Sequence, residues 1–313
     1  MTGAGPTERI LVVSLSNVGD AVMSTPVLEA LHQHYPAAVI DIVGDRRSSG
    51  LFQFCPYRGH IFHKDKHGGV RGLVRLIRDL RRTRYELVVD LRTDGLAYLL
   101  RARRRLTKWG ARPPRGPHAI ERLFATVGPL FGTEPIPATR LWLDDGLQAI
   151  AAQMLQALPP GPRLALGPGA KWPPKTWPPA RFVEMVEAVR DLFAGVVILG
   201  GPGDTESAER VATGIRLPYV NLCGRTSLLE DCAVLTCCAV FVGNDSGAGH
   251  MAAALETATL TVFGPTDPLR FHPWGARAAW VVAPGGELAA LTGDAVAERL
   301  RERFFRPDSG ALG

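Results

Sequence analysis

Short apolar runs alternate with amphipathic stretches along the whole chain. ILVVSL (10–15) is too short and too β-rich for a helix and predicts a strand. AVIDIVG (38–44) and ELVVDL (86–91) predict two more. SNVGD follows the first as a loop. A helix is then expected through about Tyr35, with Pro26 in a first turn and Val27, Leu28, Leu31 and Tyr35 as its apolar stripe. Residues 70–84, VRGLVRLIRDLRRTR, place Val70, Leu73, Val74, Ile77 and Leu80 on one face and arginines on the other, a basic amphipathic helix.

After a loop-like stretch, GTEPIPATR, a helix is expected to run to 158. PPGP (159–162) then interrupts. The rhythm restarts with strands at 163–169, 195–201, in AVFVG and at 259–264. Helices are expected at 182–192, 206–215, 228–238, in HMAAALE and at 295–305. Strand, helix, strand in this order predicts doubly wound parallel sheets. The expected domains are 1–158 and 159–313, two α/β halves facing each other, with ligands beyond the carboxyl ends of the strands and in an inter-domain cleft.

Composition narrows this picture. At 313 residues and 46% hydrophobic, the chain can bury sizeable cores. No apolar run approaches the ~20 residues of a membrane span, and MTGAGPTER does not read as a secretory signal. Five cysteines without a C-x-x-C pair suggest buried thiols in a reducing cytoplasm. The net charge of +6 is uneven: residues 58–122 hold 18 of the 36 lysines and arginines. They face only Asp65, Asp79, Glu86, Asp90, Asp94 and Glu121, so the rest of the chain is net acidic. A solvated basic face or an anionic partner follows: acidic lipid, phosphorylated substrate or nucleic acid.

Four polar clusters fall at expected strand ends. In NDSGAGH (244–250), glycines at a helix start let backbone amides approach an anion. Ser246 either caps the helix or bonds a phosphate oxygen. Asp245 would repel a phosphate, and is better suited to orienting amides or accepting sugar hydroxyls. His250 offers a ring nitrogen. An ordinary capped turn explains the same residues. GPGAKWPPKTWP (167–178) sets Lys171 and Lys175 in a proline-stiffened loop, suited to a diphosphate. SLSNVGD (14–20) ends in Asp20, either a general base or a plain first-turn acid. GGPGDTE (200–206) ends in Glu206, either a ribose ligand or a plain first-turn acid. Neither G-x-G-x-x-G nor a Walker loop occurs, which argues against a dehydrogenase. No D-x-D occurs either, so the sequence predicts diphosphate binding by Lys175 and helix N-termini, with no metal or cofactor.

Together these stretches resemble glycosyltransferase family 9, the ADP-heptose:lipopolysaccharide heptosyltransferases. The likeness is strongest at ILVVSLSNVGDAVMSTPVLEALHQHYP, KTWPPARFVEMV and GGPGDTESAE. It is also strong in the ordered series G-R-T-S-L, N-D-S-G-A-G-H and F-G-P-T-D-P. Arg225 stands where many members have lysine. Lys171, Trp172 and their prolines replace the usual small or hydroxyl residues, and the chain is short for the family.

The resemblance implies the GT-B architecture: two facing Rossmann-like domains, an acceptor-binding N-terminal one and a donor-binding C-terminal one. The last helix, 295–305, can cross back to the first domain. It also implies Asp20 as the base, Lys175 on the donor diphosphate, and Glu206 on ribose or adenine. Asp245, Ser246, Gly247 and His250 would form the phosphate and sugar loop, with Lys171 and Thr266 as further contacts. The implied reaction is inverting, metal-independent transfer from ADP-heptose to a lipopolysaccharide core hydroxyl.

An acidic, lipid-linked acceptor would give Arg71, Arg75 and Arg78 a partner. A cytoplasmic enzyme peripheral to the inner membrane is then expected, rather than a nucleic-acid binder, since the basic stretch lacks interleaved aromatics. A soluble acceptor and a non-catalytic nucleotide-sugar binder are the alternative readings.

Overall fold

The structure, a computed structural model, describes residues 8–64, 68–93 and 95–305; Asp65 and Asp94, counted above among the acids, lie outside them. It divides into two compact units, Met1–Trp142 and Leu143–Gly313.

The first unit runs β1 (Arg9–Val13), α1 (Val18–Met23), α2 (Thr25–His34), β2 (Val39–Gly44), β3 (Arg58–His63), α3 (Gly69–Leu80), β4 (Tyr85–Asp90), β5 (Ala102–Thr107), α4 (Ala119–Ala125) and α5 (Gly128–Phe131). Its strands are all parallel, in the order β3-β2-β1-β4-β5. The central strands are mostly apolar because helices cover both faces of such a sheet. Asp41 is buried within β2, where Arg9 and the Tyr85 hydroxyl both donate to it.

The second unit runs α6 (Asp145–Met154), β6 (Arg163–Gly167), α7 (Pro179–Ala188), β7 (Gly195–Ile198), α8 (Thr205–Gly214), β8 (Tyr219–Asn221), α9 (Leu228–Thr236), β9 (Val240–Asn244), α10 (Gly247–Ala254), β10 (Ala258–Phe263), α11 (Pro268–Phe271), β11 (Ala278–Val282) and α12 (Gly293–Phe304). The sheet order is β11-β10-β9-β6-β7-β8, again parallel. In both units the strand order reverses beside the first strand, at β1/β4 and at β6/β9. That reversal point is where open α/β sheets hold ligands.

Two expectations shift. The units part at 142/143 rather than 158/159, because α6 lies against α9 and Thr236 Oγ1 donates to Gln148 Oε1 at 3.2 Å. The prolines at 159–162 mark the turn into β6 instead. The last helix packs on α7 of its own unit: a Cβ at Gly293 would lie 2.5 Å from the Met185 amide nitrogen, and Arg301 pairs with Asp191.

The basic helix ends at Leu80, and its buried side is Gly72, Leu76 and Leu80. Val70, Leu73 and Val74 are exposed.

The G-R-T-S-L segment builds the turn into α9. Gly224 adopts φ +72°, and Ser227 and Glu230 form a reciprocal capping box. Thr226 Oγ1 donates to the buried Asp231 carboxylate, yet burial still pushes that carboxyl up to about 6. A raised folded-state value favours the protonated native protein. The stabilisation is therefore full below the unfolded value of 3.8 and is lost as pH rises through about 6. Asp231→Asn keeps an acceptor for Thr226 and removes the buried charge. The variant should exceed the parent in stability by up to ~3 kcal/mol near pH 8, with the gap closing near pH 4. Thermal unfolding across pH reads this; a gap independent of pH would contradict it.

Candidate active site

In the second unit, loops from three adjacent strands meet at the strand-order reversal. Their core is set by Phe241, whose ring packs over Gly167 of β6 and Gly243 of β9. A Cβ at either glycine would lie 2.6 or 2.5 Å from that ring. Asn244, fully buried, ends β9 and clamps the loop after β6. Its side chain donates to the Pro168 carbonyl at 2.8 Å and accepts from the Trp177 amide at 3.0 Å. Trp177 is itself buried and donates from Nε1 to the Leu291 carbonyl at 2.9 Å. The proline-rich loop is thus fixed at both ends.

Lys175 projects from that fixed loop. Its Nζ lies 2.6 Å from Asp245 Oδ2, and Thr266 Oγ1, from the loop after β10, donates to the same oxygen at 2.7 Å. The ammonium also stands 5.9 Å from the centre of the Phe271 ring. The lysine side chain is 24% exposed and the aspartate side chain 6%. Asp245 therefore aims a partly accessible cation and ties three loops together.

Ser246 and Gly247 follow at the start of α10. The Ser246 side chain does not cap the helix, so capping, one of its two expected uses, is not its role. His250 lies buried within α10. The α10 N-terminus, where helix amides favour negative charge, thus begins two residues after the carboxylate that holds Lys175.

Glu206 sits apart on the exposed first turn of α8, paired with Arg210 at 2.6 Å. Lys171 is exposed. Asp204 accepts from the Gly201 amide and fits against Gly169, where a Cβ would lie 2.0 Å from its carboxyl carbon. The loops after β6 and β7 therefore touch.

In the first unit, Asp20 lies half-buried in the first turn of α1, just beyond β1, and accepts from Asn17 Nδ2 at 2.9 Å. Two other carboxylates end strands of this sheet. Asp45 pairs with Arg47 at 3.0 Å, and Asp90 accepts from the Arg92 and Thr93 amides of its own turn. No salt bridge to Asp20 exists among the described residues. The sequence reading missed the clamp by Asn244 and the ring of Phe271. Only the position of Asn244 at a strand end hinted at the first, and nothing local marked the second.

The description "Glycosyltransferase family 9 (heptosyltransferase)" matches residues 95–293. Lipopolysaccharide heptosyltransferase 3 of Escherichia coli strain K12 is 26% identical over 283 residues, covering 82% of each chain. The solved E. coli ADP-heptose lipopolysaccharide heptosyltransferase II superposes with a TM-score of 0.80 at 22% identity, covering 95% of this chain and 98% of its own. An E. coli heptosyltransferase, WaaC, solved with ADP gives 0.75 at 24%, covering 94% and 99%. By the match through both units and the shared fold beneath it, this chain belongs to glycosyltransferase family 9 and is a glycosyltransferase.

Proposed function

We propose that the protein transfers a heptose from ADP-heptose to a hydroxyl of a lipopolysaccharide inner-core acceptor, with inversion and without a metal. The second unit binds the donor and the first the acceptor. The observation that carries this is the junction of Lys175, Asp245 and Thr266 beside the α10 N-terminus, at the reversal point of the second sheet. Relatives named as lipopolysaccharide heptosyltransferases, and a fold neighbour solved with ADP, support the choice of donor.

In the reaction, the Asp20 carboxylate takes the proton of the acceptor hydroxyl as that oxygen attacks the anomeric carbon. The bond from that carbon to the diphosphate oxygen breaks, and its electron pair stays on the departing ADP. Lys175 and the amides at 246–250 stabilise the developing charge. Lys171 adds a second cation on the diphosphate. Glu206 exchanges Arg210 for ribose hydroxyls at little cost, since an exposed pair of this spacing contributes only ~0.3–0.5 kcal/mol. The acceptor is anionic and lipid-linked, and Arg71, Arg75 and Arg78, all exposed, suit a peripheral contact with the inner membrane. No described helix is long and apolar enough to cross a membrane.

A thermal-shift panel of ADP, UDP, GDP and their sugars tests the donor assignment. ADP at 100 times its dissociation constant should add ~2.7 kcal/mol of stability. A larger shift with UDP or GDP than with ADP would contradict it.

A further inference from the structure

Helix α3 is apolar over a wider arc than the sheet covers. At about 100° per residue, Gly72, Leu76 and Leu80 occupy the buried arc, and Leu73 and Ile77 continue it. Val70 and Val74 extend it into solvent, at 78% and 58% exposure. Arg78, Arg71 and Arg75 come next around the helix, so arginines border the uncovered apolar strip.

The strip does not end at the helix. Leu73 and Leu99 line one cavity of about 290 Å³ at the carboxyl ends of β1, β2 and β4. Beside Leu99, the ring of Tyr98 stacks on Trp109 at 5.9 Å, and Trp109 is 76% exposed. Six of the eleven large apolar side chains exposed among the described residues therefore lie on this unit, on α3 and on the segments that Leu99 and the Tyr98–Trp109 stack join to it. Lys108, next to Trp109 in sequence, is exposed, and Arg105 donates to the Ala97 and Leu100 carbonyls on either side of Tyr98 and Leu99. Two acids among the described residues of this unit are paired at the surface: Asp79 with Arg78 and Arg82, and Glu86 with Arg103. An uncovered aliphatic strip, an amphipathic aromatic pair and a border of cations fit the boundary between lipid headgroups and acyl chains.

We propose that Val70, Leu73, Val74, Tyr98, Leu99 and Trp109 form a face that inserts into an anionic bilayer, with Arg71, Arg75 and Arg78 on the headgroups. This rests on the reading of a lipid-linked acceptor and deepens it. The membrane is gripped by apolar insertion as well as by charge, and the grip lies on the unit that carries Asp20.

Flotation with vesicles of phosphatidylcholine doped with phosphatidylglycerol tests the proposal. The comparison is between the parent and a variant carrying Val70→Ser, Val74→Ser and Trp109→Ser. Each methylene withdrawn from lipid weakens binding about fourfold, so the variant should partition at least ~10-fold less. At ~1 M salt, where charges are screened beyond about 3 Å, the parent should retain binding above the variant. The unfolding temperature, and transfer to an acceptor stripped of its acyl chains, should match in the two proteins.

Equal flotation of parent and variant overturns the proposal. So does complete loss of parent binding in salt, which would mean contact by arginines alone. A concentration-dependent dimer that the variant dissolves assigns the face to a second copy and also overturns it. In each case, continued transfer to the stripped acceptor leaves the glycosyltransferase reading standing. Absence of transfer by the parent with normal flotation would instead remove that reading alone.

Discussion

Asp20→Ala should lower the rate of sugar transfer by about 10²–10⁴-fold, the usual contribution of a positioned general base, while leaving ADP affinity unchanged. The expectation comes from how the carboxylates of the first unit are used. Asp41 and Asp45 are tied to arginines, and Asp90 holds its own turn. Among the described residues Asp20 has only the neutral Asn17 amide as a side-chain partner, sits in the first turn of a helix beyond the first strand, and is partly open to solvent. Such a carboxylate can accept a proton without breaking an ion pair. Asp20→Asn, which preserves size and polarity, should be as inactive as alanine. If either variant kept turnover within about tenfold of the parent, a barrier change of only ~1.4 kcal/mol, Asp20 would not be the base.

Lys175→Ala should weaken ADP binding by about 10²-fold or more, the range for removing one partner of a desolvated charged contact. Two effects combine. The diphosphate loses its ammonium, and Asp245, 6% exposed, is left charged with Thr266 as its remaining side-chain partner among the described residues. That charge then repels the incoming anion. The double variant Lys175→Ala with Asp245→Asn should therefore recover part of the lost affinity. The single variant should also lose ~1–3 kcal/mol of folding stability, less than a fully buried pair would cost because the lysine is 24% exposed. Calorimetric titration with ADP reads the first effect and thermal unfolding the second. Unchanged ADP affinity would take Lys175 out of the site, and absence of any rescue would take Asp245 out of the electrostatic account.

The strands the sequence revealed are the inner ones. β1, β2 and β4 in the first sheet, and β6, β7, β9 and β10 in the second, are predominantly apolar and buried because helices cover both their faces. The four that escaped, β3, β5, β8 and β11, are the sheet edges. β5 reads ARRRLT: only its last two residues are buried, and the arginines before them face outward or are half-covered, so no apolar period survives. Edge strands carry charge for good reason, since charge discourages pairing with another chain.

The polar loops were legible as candidate chemistry because they stand at strand ends. Their internal division of labour was not. Ser227 and Glu230 cap a helix and Asn244 braces a loop, while Lys175, Asp245 and Thr266 converge from positions up to 91 apart in sequence. That convergence depends on the order of strands, which periodicity does not encode. The same holds for α3. Its stripe reads as one buried face, yet the sheet covers only the Gly72, Leu76 and Leu80 side.

The most direct test of the account mixes the protein with ADP-heptose and a heptose-free lipopolysaccharide precursor in the presence of EDTA, and follows ADP release together with the anomeric configuration of the product. The account predicts ADP release that requires the acceptor, persists in EDTA, is lost in Asp20→Ala, and yields a product of inverted configuration. Retained configuration, or release that Asp20→Ala leaves untouched, would contradict it.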